Sequence, residues 1–228
     1  MPNYEIIDTE GLSLLKVVLN GDTVRGESGA LHYMRGNIEM VTKKPSAGGF
    51  LKSMVTGEDV FRPTYTGTGE VYFGPPTFGQ YHIMELNGNS MVLDKGAYIC
   101  SDAGIEVGMI RNKGKSMLLG GEGIWQTSVS GTGTMVYYSH GPVQEIDLVN
   151  DTLTVDGNFA VARDASLNYE TKLLGKGLLS KMAGGEGFVN IISGTGKVYL
   201  SPVATANNSL IAQISGETIG GIVPHLGE

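Results

Sequence analysis

One cysteine, Cys100, stands among 228 residues, so no disulfide can close within a single chain. Charged residues make up 17% of the sequence, below the roughly 25% of an ordinary soluble domain. The 16 basic side chains are scattered against 23 acidic ones, giving a net charge of −7. Recognition of a phosphate backbone needs clustered cations, so nucleic acid is excluded as an expected partner. The same balance argues against adsorption to anionic lipid. No run approaches the ~20 apolar residues of a membrane span, and Met1-Pro2-Asn3-Tyr4-Glu5 does not begin a charged leader with an apolar core. A cytoplasmic protein without stable membrane insertion is expected. No stretch keeps a 3.6-residue apolar period over three turns, which excludes a helical architecture.

Glycine is what the chain has in excess, with 35 residues, about twice the average share. The glycines are ordered. Gly57-Glu58 is followed by Gly67-Thr68-Gly69, Gly121-Glu122 by Gly131-Thr132-Gly133, and Gly185-Glu186 by Gly194-Thr195-Gly196. The Gly-Glu pairs recur every 64 residues and the Gly-Thr-Gly triplets at 64 and 63. Around each triplet lie β-branched and aromatic residues, such as Pro63-Thr64-Tyr65-Thr66 before the first and Val71-Tyr72-Phe73 after it. Strand-forming flanks around glycines predict a β-hairpin with Gly-Thr-Gly at its tip. Asn20-Gly21-Asp22 is expected to turn the chain likewise.

A second half precedes each triplet. Acid-and-glycine turns occur at Glu27-Ser28-Gly29-Ala30-Leu31, Asp94-Lys95-Gly96-Ala97-Tyr98 and Asp156-Gly157-Asn158-Phe159, with 40, 37 and 38 residues from the acid to the triplet. Three units follow, at about 5–77, 80–141 and 143–203, with residues 204–228 as a final strand or tail. Each is expected to hold five or six strands. Gly74-Pro75-Pro76-Thr77-Phe78-Gly79 and Ser139-His140-Gly141-Pro142 are too short for flexible linkers between independent domains. The reading is one compact all-β domain over residues 1–228, closed about a pseudo-threefold axis.

Candidate chemistry is sparse. Gly108-Met109-Ile110-Arg111-Asn112-Lys113-Gly114-Lys115-Ser116 resembles a phosphate loop but has one residue too many between its glycines and no helix behind it. His32, His82, His140 and His225 lack metal-ligand spacing; His82 or His140 could join a site only if distant strands brought ligands together. No Gly-x-Ser-x-Gly elbow occurs. Cys100, in a strand-like Tyr98-Ile99-Cys100 with repeat counterparts Tyr33 and Val161, is expected to be a buried small hydrophobe. Lysine-bearing loops recur at Lys43-Lys44-Pro45, Asn112-Lys113-Gly114 and Gly175-Lys176-Gly177, either solvated or forming an anion-binding rim. Glu58, Glu122 and Glu186 occupy equivalent places. Each either accepts hydrogen bonds from its own glycine turn or, near a threefold axis, faces the other two across a cation or proton.

Gly49-Phe50-Leu51-Lys52, Thr56-Gly57-Glu58 with Phe61, Gly120-Gly121-Glu122-Gly123 and Gly184-Gly185-Glu186-Gly187, each with its Gly-Thr-Gly, give the chain its resemblance to a known family. It resembles the mitochondrial biogenesis (altered inheritance of mitochondria) family, with its uncharacterised bacterial and archaeal members, over about residues 5–203. The resemblance implies a fold like that of the tryptophan RNA-binding attenuation protein (TRAP), a double-stranded β-helix-like sandwich repeated three times in one chain. It implies no known activity. Its mitochondrial members are linked to inner-membrane organisation and carry targeting segments not seen here.

The expected function is a non-enzymatic interaction or scaffold protein with a protein partner or self-association, since several sheet edges must be covered or used. The alternative is a small-ligand-binding β-sandwich with its site between repeats; an enzyme is less favoured. No catalytic, cofactor-binding or metal-binding residue is assigned, and no cofactor is expected.

Overall fold

The computed structural model describes residues 1–9, 12–42, 62–74, 79–111, 125–156, 159–173 and 188–202. Every regular element among them is a strand. The first four are β1 (Asn3–Thr9), β2 (Leu12–Gly26), β3 (Leu31–Val41) and β4 (Thr64–Phe73). The next four are β5 (Gln80–Leu93), β6 (Tyr98–Asp102), β7 (Glu106–Arg111) and β8 (Trp125–Ser139). The last four are β9 (Gln144–Asp156), β10 (Ala160–Asp164), β11 (Asn168–Leu173) and β12 (Phe188–Leu200).

The topology repeats. A long first strand (β2, β5 or β9) pairs antiparallel along its length with the last strand (β4, β8 or β12). The last strand pairs on its other edge with the middle segment. That segment is the single strand β3 in the first unit, but β6 then β7 in the second and β10 then β11 in the third. The second and third units therefore hold four described strands each and the first holds three, or four with β1, an addition that pairs with β2; all fall short of the expected five or six. Even the irregularities recur. Register shifts fall at Asn20/Asp22, Asn87/Ser90 and Gly194/Gly196, and again at Leu31/Tyr33, Tyr98/Cys100 and Ala160/Ala162. Asn20-Gly21-Asp22 is thus a bulge inside β2, not a reversal, with Gly21 at φ 76°. The second register shift also moves the third-unit counterpart of Cys100 from Val161 to Ala162, because both Cys100 and Ala162 follow the bulge and face Val136 and Tyr199.

The Gly-Thr-Gly triplets do not form hairpin tips. Each lies within the central strand of its unit: 67–69 in β4, 131–133 in β8 and 194–196 in β12. The glycines serve close approach instead of reversal. Gly67 has φ 143°, and a Cβ there would lie 2.1 Å from the carbonyl oxygen of Asn37 on β3. Only a residue without a side chain lets the strands pass so near in that conformation.

Packing follows the same repeat. Leu19, Tyr65 and Val71 are buried in the first unit; Leu86, Val129 and Met135 fill those places in the second, and Leu148, Ile192 and Val198 in the third. Ile38, Ile105 and Leu167 complete the set from the middle segments. Three apolar clusters result, one centred on each unit. Alternating burial from Ser13 to Leu19 is what a strand with one covered face requires.

Two joints link the units. The end of β2 pairs with β6 (Val24↔Asp102, Arg25↔Ser101, Gly26↔Cys100), and the end of β5 pairs with β10 (Met91↔Asp164, Val92↔Arg163, Leu93↔Ala162). Where a joint covers the second face, alternation stops: Met91, Val92 and Leu93 are all buried, as is all of β6. The expected closure about a threefold is not made among the described residues. The sheet runs β11-β12-β10-β5-β8-β6-β2-β4-β3, with β3 at one end and β9 attached through β12 near the other.

Candidate functional site

The structure places some of the sequence candidates. Cys100 is fully buried in the first joint, and burial pushes its thiol well above the ordinary value, with Asp102 nearby adding to the rise. It is a packing residue, as expected, and not a nucleophile. His82 stacks on Tyr137 at 4.8 Å between ring centroids, and its Nε2 lies 2.7 Å from Ser139 Oγ. That hydroxyl already donates to the carbonyl of Gly141, so the histidine serves as its donor and activates nothing. Burial lowers the His82 pKa. His140 packs edge-on to Tyr138 and His32 lies against Tyr33, so the three described histidines make separate contacts. No group of three or more His, Cys, Asp or Glu that could hold a metal occurs among the described residues. Glu58, Glu122, Glu186, His225 and all three lysine loops lie outside those residues, in sequence between or after the described strands.

The structure brings forward residues that the sequence reading passed over. Asp102 ends β6 and accepts from the Tyr4 hydroxyl at 2.7 Å and from the Thr134 backbone N–H at 2.7 Å. Asp164 ends β10 and accepts from the Lys197 backbone N–H at 2.8 Å. Each carboxylate sits against the second glycine of its triplet, Gly133 or Gly196. In the first unit Arg35 holds this register position and pairs with Glu70 at 3.6 Å. The signal was present: Asp102-Ala103-Gly104-Ile105 and Asp164-Ala165-Ser166-Leu167 share an Asp-Ala-x-aliphatic pattern 62 residues apart. Each acid pins the turn that splits its middle segment to the facing strand.

A buried polar relay crosses the second joint. Arg163 donates to Gln126 Oε1 at 2.8 Å, and Gln126 donates to Asp94 Oδ1 at 3.4 Å. The Arg163 guanidinium lies 4.3 Å from the Tyr169 ring centre. Burial lowers Arg163 to about 10 and raises the Asp94 carboxyl. Gln126 thus bridges the guanidinium and the carboxyl inside the joint.

Two surfaces are left over. One is β3, whose residues are exposed along most of its length, including Tyr33, Met34, Met40 and Val41. Tyr33 stacks on Tyr72 at 4.1 Å, and the Tyr72 hydroxyl donates to Glu70, beside Lys16 and Arg35. The other is a cavity of about 380 Å³ on the third unit, lined by Val143, Thr154, Val155, Phe159 and Leu200 among others. The first interleaves these apolar residues with exposed Arg35, Asn37 and Glu39, and the second is mainly apolar.

The fold and these surfaces define an all-β protein of repeated strand topology whose described residues contain no metal cluster. The family description Mitochondrial biogenesis AIM24 matches residues 4–203, and the chain belongs to that family. It is 30% identical over 192 residues to an uncharacterized protein of Streptococcus pyogenes serotype M6, covering 79% of this chain and 77% of that one. A crystal structure of another Streptococcus pyogenes protein superposes with a TM-score of 0.78 at 25% identity, covering 94% of this chain and all of its counterpart. Both of these relatives are bacterial and their descriptions name no activity. No helix among the described residues is long and apolar enough to cross a membrane.

Proposed function

We propose that this chain is a non-enzymatic interaction or scaffold protein, built from three TRAP-like β modules, that works in the cytoplasm by associating with protein, including itself. The observation that carries this reading is β3. It is 11 residues long, ends the sheet among the described residues, and exposes Tyr33, Met34, Met40 and Val41. An unpaired edge of that length carrying exposed apolar side chains is a template for another chain. Asp102, Asp164 and His82 support the reading too, since each is spent on backbone or side-chain partners within the fold. Net charge of −7 weighs against nucleic acid as the partner.

A second reading, a binder of small molecules, draws support from the cavity of about 380 Å³, a size within the range of ligand pockets. It lies on the third unit and not between repeats. The two readings separate in one pair of measurements. Sedimentation across a hundredfold range of protein concentration should show rising mass, with a thermal-shift panel of metals, nucleotides and amino acids flat. Constant mass with stabilisation by one compound class would instead select the ligand binder.

A further inference from the structure

We propose that the end of β9 in one copy of this chain receives the start of β3 from a second copy, making between molecules the joint that is made twice within each. This rests on the reading that the protein is a self-associating scaffold, and it names the interface. The argument begins with register. Val24, Met91 and Leu153 are equivalent in their long strands, because they oppose Tyr65, Val129 and Ile192, each two residues before the first glycine of its triplet. Arg35, Asp102 and Asp164 are equivalent in the middle segments by their place beside the second glycine.

In the two formed joints, Val24 pairs with Asp102 and Met91 with Asp164. Backbone bonds extend each joint, from Glu27 N–H to the Ile99 carbonyl at 2.7 Å and from Asp94 N–H to the Val161 carbonyl at 2.9 Å. The third joint has both halves and no pairing among the described residues. β9 pairs only with β12, and β3 only with β4. By the same register, Leu153 would face Arg35, Thr154 would face Met34, and Val155 would face Tyr33 of the second copy.

Val155 is buried like its counterpart Leu93, but Tyr33 and Thr154 differ from theirs. Cys100 and Ala162, which occupy formed joints, are 0% and 2% exposed, whereas their counterpart Tyr33 is 45% exposed. Thr154 is exposed where its counterpart Val92 is buried. The cavity on the third unit opens at this place, with Thr154 and Val155 in its lining. In the first joint the equivalent region is filled by the incoming middle strand, where Ile99 and Cys100 pack with Phe73 and Leu15. A head-to-tail contact of this kind is heterologous, so it builds a ring if the rotation closes and a filament if it does not.

The test uses Tyr33→Cys and Val155→Cys carried on separate full-length chains and mixed under mild oxidation. Opposed residues of an antiparallel pair lie within disulfide reach, so a disulfide-linked heterodimer is expected. Its yield should far exceed that of Tyr33→Cys mixed with Val149→Cys, an exposed β9 position outside the proposed pairing. The double variant should give a ladder of cross-linked species, and Met34→Lys, at an exposed position, should abolish concentration-dependent mass while preserving the melting temperature. A double variant that closes its disulfide within one chain overturns the proposal in favour of internal ring closure. Yield no higher than the Val149→Cys control also overturns it. If mass still rises with concentration in that case, the scaffold reading stands and only this interface fails; constant mass at every concentration sinks both.

Discussion

The carboxylate of Asp102 fills the space that a side chain on Gly133 would need: a Cβ there would lie 2.8 Å from Asp102 Oδ2, on a residue with φ 141°. Glycine and acid are therefore one device, a bare stretch of strand with a carboxylate laid over it to take the next backbone N–H. Gly133→Ala is expected to destabilise the fold by about 2–4 kcal/mol, combining backbone strain with displacement of a buried hydrogen-bonded carboxylate. Gly67→Ala should cost more, since its Cβ would meet a backbone carbonyl at 2.1 Å, and Gly194→Ala less, with Leu167 Cδ2 at 3.4 Å. Urea unfolding of the three variants checks the ranking. Equal losses would show that strain in φ alone sets the cost.

Tyr4 on β1 reaches Asp102 on β6, 98 residues away, at 2.7 Å. This bond ties the first unit to the second beyond the paired backbone. Tyr4→Phe is expected to cost roughly 1–2 kcal/mol and Asp102→Asn a similar amount, with a coupling near 1 kcal/mol in a double-mutant cycle. Additive losses would mean the two residues act on separate parts of the fold.

Much of the architecture was legible in the residues. Gly-Thr-Gly at spacings of 64 and 63 reported three units, and the structure repeats its topology, bulges and core in each of the three. The use of those glycines was not legible. Glycine answers both a reversal and a close approach, and Gly67 differs from a hairpin glycine only through Asn37, a neighbour 30 positions away in sequence. Asp102 and Asp164 were readable as a pair, but Arg35 in the first unit breaks the pattern, so a search for threefold agreement passes over them. The interaction surface was least visible. Nothing in Tyr33-Met34 says that its counterparts Cys100-Ser101 are buried and it is not, because that difference comes from which unit stands at the end of the chain of joints.

Arg163 is 4% exposed and its planar guanidinium both donates to Gln126 at 2.8 Å and lies over Tyr169. Lysine keeps the charge but neither the fork nor the flat face. Arg163→Lys should therefore cost about 1–3 kcal/mol despite conserved charge, leaving Gln126 and Asp94 poorly matched inside the second joint. Hydrogen exchange should show the loss as faster opening of β10 and the end of β5. Protection unchanged in those two strands would argue that the relay does not hold the joint.

His82 gives the fold a pH dependence of definite sign. Burial holds its folded pKa below the ordinary imidazole value of about 6.5 that it regains on unfolding. Between those two values the unfolded chain binds more protons, so stability rises with pH through that window and falls as the solution is acidified below about 6.5. One titrating group limits the slope to about 1.4 kcal/mol per pH unit. His82→Gln, which keeps a donor for Ser139 Oγ, should flatten the dependence between pH 7 and pH 5 while leaving neutral stability nearly unchanged. Paired urea titrations at the two pH values measure this directly. An unaltered slope in the variant would assign the acid sensitivity to other groups and leave the buried imidazole a spectator.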